Sequence, residues 1–142
     1  MNNVRKELVC LAKYLVAHGA SIKLLGVSLE HDPGQDRENL RDPRAFCHVK
    51  PDDPGTIFCS AALAELRAPA RIAVLLHELG HIELNAFTGD TSEVDVDAWC
   101  MEWPDAHYTY MDAVYWRADV RKPVTAKNLQ HVSYAFVDKI HE

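Results

Sequence analysis

The sequence predicts an α+β fold in which a short β-sheet packs on one long apolar helix, with further helices around it. Three observations carry that expectation. Residues 71–84 form an apolar run with helical spacing around two histidines. Two strand-like runs joined by a Pro- and Gly-containing turn lie shortly before it, at Ala45 to Ser60. Segments near the N-terminus and after Thr91 repeat apolar residues three and four positions apart. A chain of 142 residues can bury one sizeable core, and residues 1–142 read as a single domain.

In chain order, Asn2 or Asn3 can cap a first helix with the stripe Val4, Leu8, Leu11 and Leu15, and Gly19 supplies a left-handed stop. Ile22 to Leu29, rich in Ile, Leu and Val, reads as a buried strand. His31 to Arg44 is polar with two prolines and reads as a surface loop, and His31 and His48 read as surface residues rather than ligands. In the hairpin, Ala45 to Val49 and Thr56 to Ser60 are the strands, Lys50 to Gly55 the turn, and Cys47 can face Cys59. Ala61 to Arg67 reads as a short helix. Pro69, where its missing N–H is harmless, opens the long one, which ends near Asn85 to Gly89. Ser92 is a good N-cap for the next helix, with Asp95 at its third position. Trp103-Pro104 ends or kinks that helix. Tyr108, Met111, Val114 and Tyr115 form an aromatic stripe that suits a core, and Leu129, Val132, Phe136 and Ile140 give a last amphipathic segment.

The chemistry concentrates in His77-Glu78-Leu79-Gly80-His81. Residues four apart on an α-helix lie one turn apart on nearly the same face, so two imidazoles can reach one metal ion. Glu78 falls beside the metal, placed to act as general base. With eight His and nine Glu in the chain, shuffling would give HExxH about 3% of the time, so the pattern alone is moderately specific. Its setting sharpens it: Ile72, Ala73, Val74, Leu75 and Leu76 precede it and Leu79, Ile82 and Leu84 continue the buried side, and buried histidines are costly unless paired or metallated. The reading is a zinc site with His77 and His81 as ligands and a third ligand from the helix after Thr91. Asp95 leads there, because it shares a stripe with Val96, Trp99 and Cys100, and Glu93 and Asp97 are the alternatives.

A net charge of −6 without a basic block disfavours nucleic acid as a partner. The apolar runs are too short for a membrane span or a signal peptide. Cys10, Cys47, Cys59 and Cys100 form no CxxC pair and read as reduced thiols, so a cytoplasmic location is expected.

The chain resembles the ImmA/IrrE family of zinc metallopeptidases, in the gluzincin group. The likeness runs from Thr56-Ile57-Phe58-Cys59 through Leu76 to Ile82 and into Glu93 to Cys100, and extends to Asn128 to Ser133. It implies a zincin-like domain with Zn2+ held by His77, His81 and Asp95 and with Glu78 as general base. It further implies a metallo-endopeptidase cleaving an intracellular protein or peptide substrate such as a repressor or regulator. The chain departs from the family in having Asp95 where Glu is usual and a shorter linker after His81. Leu84 and Phe87 stand where a metzincin needs Gly and a third His. A competing reading is a zinc-stabilised protein-binding module without proteolytic activity, its metal closed by a fourth ligand such as His107. Non-peptide amide hydrolysis on the same site is a third. His107, Tyr108 and Tyr110 are candidates for stabilising an oxyanion.

Overall fold

The computed structural model describes residues 1–36, 46–87, 89–103 and 135–141. The expected aromatic segment with His107, Tyr108 and Tyr110 lies outside them, as do residues 37–44 of the polar loop, Ala45 of the expected hairpin and most of the last amphipathic segment. Among the described residues the architecture is mixed α and β, with a three-stranded sheet and four α-helices.

Helix α1 (Asn2–Ala17) buries Val4, Leu8, Leu11 and Leu15, the stripe its spacing predicts. Met1, with no side-chain bond, takes the cap position expected of an asparagine, and the chain turns away through Gly19 at φ 111°. The strand expected over Ile22 to Leu29 divides in two. The Ser21 hydroxyl accepts from Lys23 N, a local bond that competes with strand pairing, and Ile22–Gly26 coils as a 3-10 turn with Leu24 buried. Strand β1 (Ser28–His31) follows.

Strands β2 (Cys47–Lys50) and β3 (Asp53–Cys59) form the hairpin. Its turn is tighter than expected: Pro54 and Gly55 lie within β3, and an irregularity between Val49 and Lys50 absorbs the extra length. β3 is central, parallel to β1 and antiparallel to β2, so β2 is an edge strand of the described sheet. Alternation sends Leu29, Cys47, Val49, Ile57 and Cys59 to one buried face. On the other face Phe58 stacks with His48 at 5.6 Å and carries Lys50 Nζ 4.3 Å above its ring. His48 is thus half-buried on the sheet rather than a free surface residue; burial and the Lys50 charge lower its pKa.

Ala61–Glu65 is a 3-10 turn rather than a helix, started by Ser60, whose hydroxyl accepts from Ala62 N. Helix α2 (Ala68–Leu84) then runs through the core with Pro69 in its first turn, touching α1, α3 and the buried face of the sheet. Every residue from Ile72 to Ile82 is buried. A helix enclosed on all sides in this way is a core helix, and each fully buried Leu or Ile on it contributes about 1.5–3 kcal/mol. Arg71 ties its first turn to α1, with Nε donating to Glu7 Oε2 at 2.9 Å and Nη1 donating to the Leu66 carbonyl. Helix α3 (Gly89–Met101) begins before Ser92, which is therefore inside the helix and not its cap. Helix α4 (Ala135–Ile140) closes the core through Phe136, whose ring meets Tyr14 edge-on at 5.4 Å. No helix among the described residues is long and apolar enough to cross a membrane.

Candidate metal centre

The site forms where α2 and α3 cross. Four-residue spacing brings His77 Nε2 and His81 Nε2 to 3.0 Å of each other, and both rings are buried. Glu93, from α3, sets its carboxylate across them, Oε2 at 2.9 Å from His77 Nε2 and Oε1 at 3.2 Å from His81 Nε2. His77, His81 and Glu93 could together hold a metal ion, their ligand atoms lying within 4.8 Å of one another.

Here the expectation for Asp95 is corrected. Asp95 is exposed, and the carboxylate beside the histidines belongs to Glu93. The two acids are two residues apart, so they stand about 160° apart around the helix. They flank opposite edges of the stripe Val96, Trp99 and Cys100, which is buried as expected. Only the Glu93 edge is turned toward the histidines. Asp97 lies on that edge too, its Oδ1 3.4 Å from His77 Nδ1.

The outer nitrogens of both rings are committed. His81 Nδ1 donates to the Ala86 carbonyl, and His77 Nδ1 faces the Asp97 carboxylate. Protons held at Nδ1 leave both Nε2 lone pairs pointing inward, the tautomer a metal ligand needs. Two lone pairs and a carboxylate converging at these distances repel one another unless a cation sits among them. A proton or a metal ion can play that part. Burial alone would lower the His81 pKa, but the bonds to Glu93 and the Ala86 carbonyl outweigh it and raise it. Burial likewise opposes the shift at Glu93, and the His77 and His81 bonds carry its pKa well below the ordinary carboxylate range. A bound metal would displace that proton.

Glu78 is buried and does not join the group of three donors. It lines a cleft of about 90 Å³ together with Cys47, His48, Val49, His81, Phe87 and Glu93. A carboxylate, two of the three donors and an edge strand therefore share one opening.

Two determinants of this geometry were not read from the sequence. A Cβ on Gly80 would meet Val96 Cγ1 at 2.8 Å and Trp99 Cε3 at 3.0 Å, so the glycine inside the motif is what lets α3 approach closely enough to deliver Glu93. Its signal was a glycine in the middle of a helix, where it costs about 1 kcal/mol against alanine. Asn85 ends α2 in the left-handed region at φ 51°, with Ala86 N donating to the His81 carbonyl at 3.1 Å. That turn also brings the Ala86 carbonyl to His81 Nδ1. His31 takes no part; it is exposed and paired with Asp36 at 2.9 Å. The chain matches no family model, no curated protein and no solved structure.

Proposed function

We propose that the protein is a zinc-dependent metallo-endopeptidase of zincin-like fold, acting on an intracellular protein substrate such as a regulator. Zinc would be held by His77, His81 and Glu93. The observation that carries the reading is that the buried Glu78 carboxylate opens onto the same cleft as the donors His81 and Glu93 without being one of the three. The two ring nitrogens, 3.0 Å apart, stand near the roughly 3.3 Å that separates ligand atoms around a tetrahedral ion with bonds of roughly 2.0–2.1 Å, and Glu93 turns a different oxygen to each, Oε2 to His77 at 2.9 Å and Oε1 to His81 at 3.2 Å. Two imidazoles and a carboxylate also form a donor set of the catalytic type, which keeps one position open.

When bound, zinc supplies Lewis acidity that lowers the pKa of a water toward 7 and polarises a carbonyl. The remaining work falls to the chain's own side chains. Glu78 accepts the proton of the attacking water and returns it to the leaving amine nitrogen. Asp97 and the Ala86 carbonyl hold the histidine tautomers. Strand β2, whose Cys47 to Val49 wall the cleft, is an edge strand among the described residues and would offer its outer backbone groups to an extended peptide.

The test is Glu78→Gln beside His81→Ala, assayed by zinc content and by cleavage of a co-expressed candidate regulator. Glu78→Gln should keep its zinc and lose roughly 10²–10⁴ in turnover, whereas His81→Ala should lose both. Cleavage undiminished by Glu78→Gln would refute the role of Glu78. Partner capture without cleavage in every form, wild type included, would show a zinc-stabilised binding module instead.

A further inference from the structure

The cleft has a feature that the peptidase reading does not use: a thiol in its wall with a second thiol directly across the hairpin from it. Cys47 and Cys59 are direct partners in the β2–β3 register, both on the buried face of the sheet and both free. Two backbone bonds define the kind of pair they make. Ser60 N donates to the Phe46 carbonyl at 2.8 Å, which makes Phe46 and Ser60 the hydrogen-bonded pair next along the ladder. Asp32 N donates to the Cys59 carbonyl at 2.9 Å, so the Cys59 backbone is turned toward β1 and away from β2. Cys47 and Cys59 therefore occupy a non-hydrogen-bonded position, where Cα atoms stand about 4.5 Å apart and side chains approach closest. That separation lies inside the roughly 4.4–6.8 Å range that a disulfide spans. Cys47 lines the cleft at 1% exposure, so the cleft is the side from which a small oxidant would approach the pair, whereas Cys59 has no exposure.

We propose that Cys47 and Cys59 form an oxidisable dithiol which a peroxide or a small disulfide closes to a cross-strand disulfide in the wall of the metal cleft. With hydrogen peroxide the Cys47 sulfur attacks one oxygen, the O–O bond breaks, and one water leaves with the thiol proton, giving a sulfenic acid. The Cys59 sulfur then attacks the Cys47 sulfur, the S–O bond breaks, and a second water carries off the Cys59 proton. Two electrons pass from the thiols to the peroxide. With a small disulfide the Cys47 sulfur displaces one of its thiols to form a mixed disulfide, the Cys59 sulfur displaces the second, and the two protons leave on those thiols. Burial, then the charge of Glu78, pushes the Cys47 thiol well up, and burial raises Cys59 to about 11. Thiolate is scarce at neutral pH, so closure is slow. Neither sulfur belongs to the His77, His81 and Glu93 group, so the bond closes with or without metal. The inference does not rest on the protein being a peptidase.

The experiment uses the full chain, reduced, desalted and exposed under native conditions to hydrogen peroxide or to oxidised glutathione, then alkylated and mapped without reduction. The expected product has lost the mass of two hydrogens and contains one linked peptide pair bearing Cys47 and Cys59. Cys10 and Cys100 should remain alkylated, and dithiothreitol should reverse the change. Zinc content should be the same before and after. Cys59→Ala should yield no cross-link and leave Cys47 as a sulfenic acid or glutathione adduct. Wild-type protein in which Cys47 over-oxidises or keeps glutathione while Cys59 stays alkylatable would overturn the proposal, as would cross-links to Cys10 or Cys100. Loss of zinc on closure would overturn the placement of the sulfurs outside the donor group. The wild-type map decides the matter even if a variant folds poorly.

Discussion

Helices α2 and α3 meet at the metal centre with different degrees of self-sufficiency. On α2 the His77 and His81 nitrogens are set by the pitch of a single helix, and they converge to 3.0 Å. On α3 the acid that meets them depends on how that helix is docked. Glu93, Asp95 and Asp97 all border one buried stripe, and rolling the helix to its other edge would exchange Glu93 for Asp95. Geometry inside a helix is dictated by its backbone hydrogen bonds, whereas geometry between helices is dictated by the side chains at the crossing. The crossing here is made by Gly80 against Val96 and Trp99.

The largest effect expected from this contrast is on metal affinity. In a chelator competition Glu93→Ala should weaken zinc binding by more than the roughly 10–100-fold typical of an outer partner of a ligand. Asp97→Ala, which removes the carboxylate behind His77, should fall within that 10–100-fold range. Asp95→Ala should match wild type. A weaker site in Asp95→Ala than in Glu93→Ala would mean that α3 docks by its opposite edge.

The crossing itself can be broken next. Alanine at position 80 gains about 0.5–1 kcal/mol in helix propensity. Its Cβ, however, meets Val96 and Trp99 at 2.8 Å and 3.0 Å. Val96 is β-branched and stiff, and the Trp99 ring is held edge-on against Trp103 at 5.4 Å. Overpacking of this kind costs about 1–3 kcal/mol. Gly80→Ala should therefore lower stability by about 1 kcal/mol net and weaken zinc binding as Glu93 is displaced. Combining it with Val96→Ala should cost less than the sum of the two single changes. Simple additivity in that double-mutant cycle, read by urea unfolding, would remove Gly80 from the account.

The same distinction explains what could be read in the sequence. The stripe of α1, the hairpin with Cys47 opposite Cys59, the long core helix and the pairing of its histidines all follow from local periodicity and turn residues. The α+β class follows with them. The sequence does not separate Asp95 from Glu93 as the acid at the histidines, because both border the buried stripe about equally and nothing in it says which border faces α2. The strand expected over Ile22 to Leu29 failed for a related reason: its composition suits a strand, but β3 offers β1 partners only from Thr56 to Cys59. A helix start placed at Ser92 missed that α3 already begins at Gly89.

The smallest effect concerns the turn that leaves α2. Asn85 at φ 51° and ψ 47° sits in the left-handed region, which asparagine tolerates and alanine resists by roughly 1–2 kcal/mol. Glycine enters it freely. Asn85→Ala should thus lower stability by about 1 kcal/mol, and Asn85→Gly should be neutral or slightly better. The metal gives the comparison its sharper edge, because the Ala86 carbonyl that orients His81 is held in place by this same turn. If the turn matters only to folding, both variants bind zinc like wild type once folded. If it sets the tautomer of His81, Asn85→Ala weakens zinc binding and Asn85→Gly restores it, since glycine keeps the backbone path while discarding the asparagine side chain. We expect the second pattern, measured as zinc affinity by chelator competition on folded protein. An Asn85→Gly variant as impaired as Asn85→Ala would show that the asparagine side chain, and not the left-handed backbone, is what the site depends on.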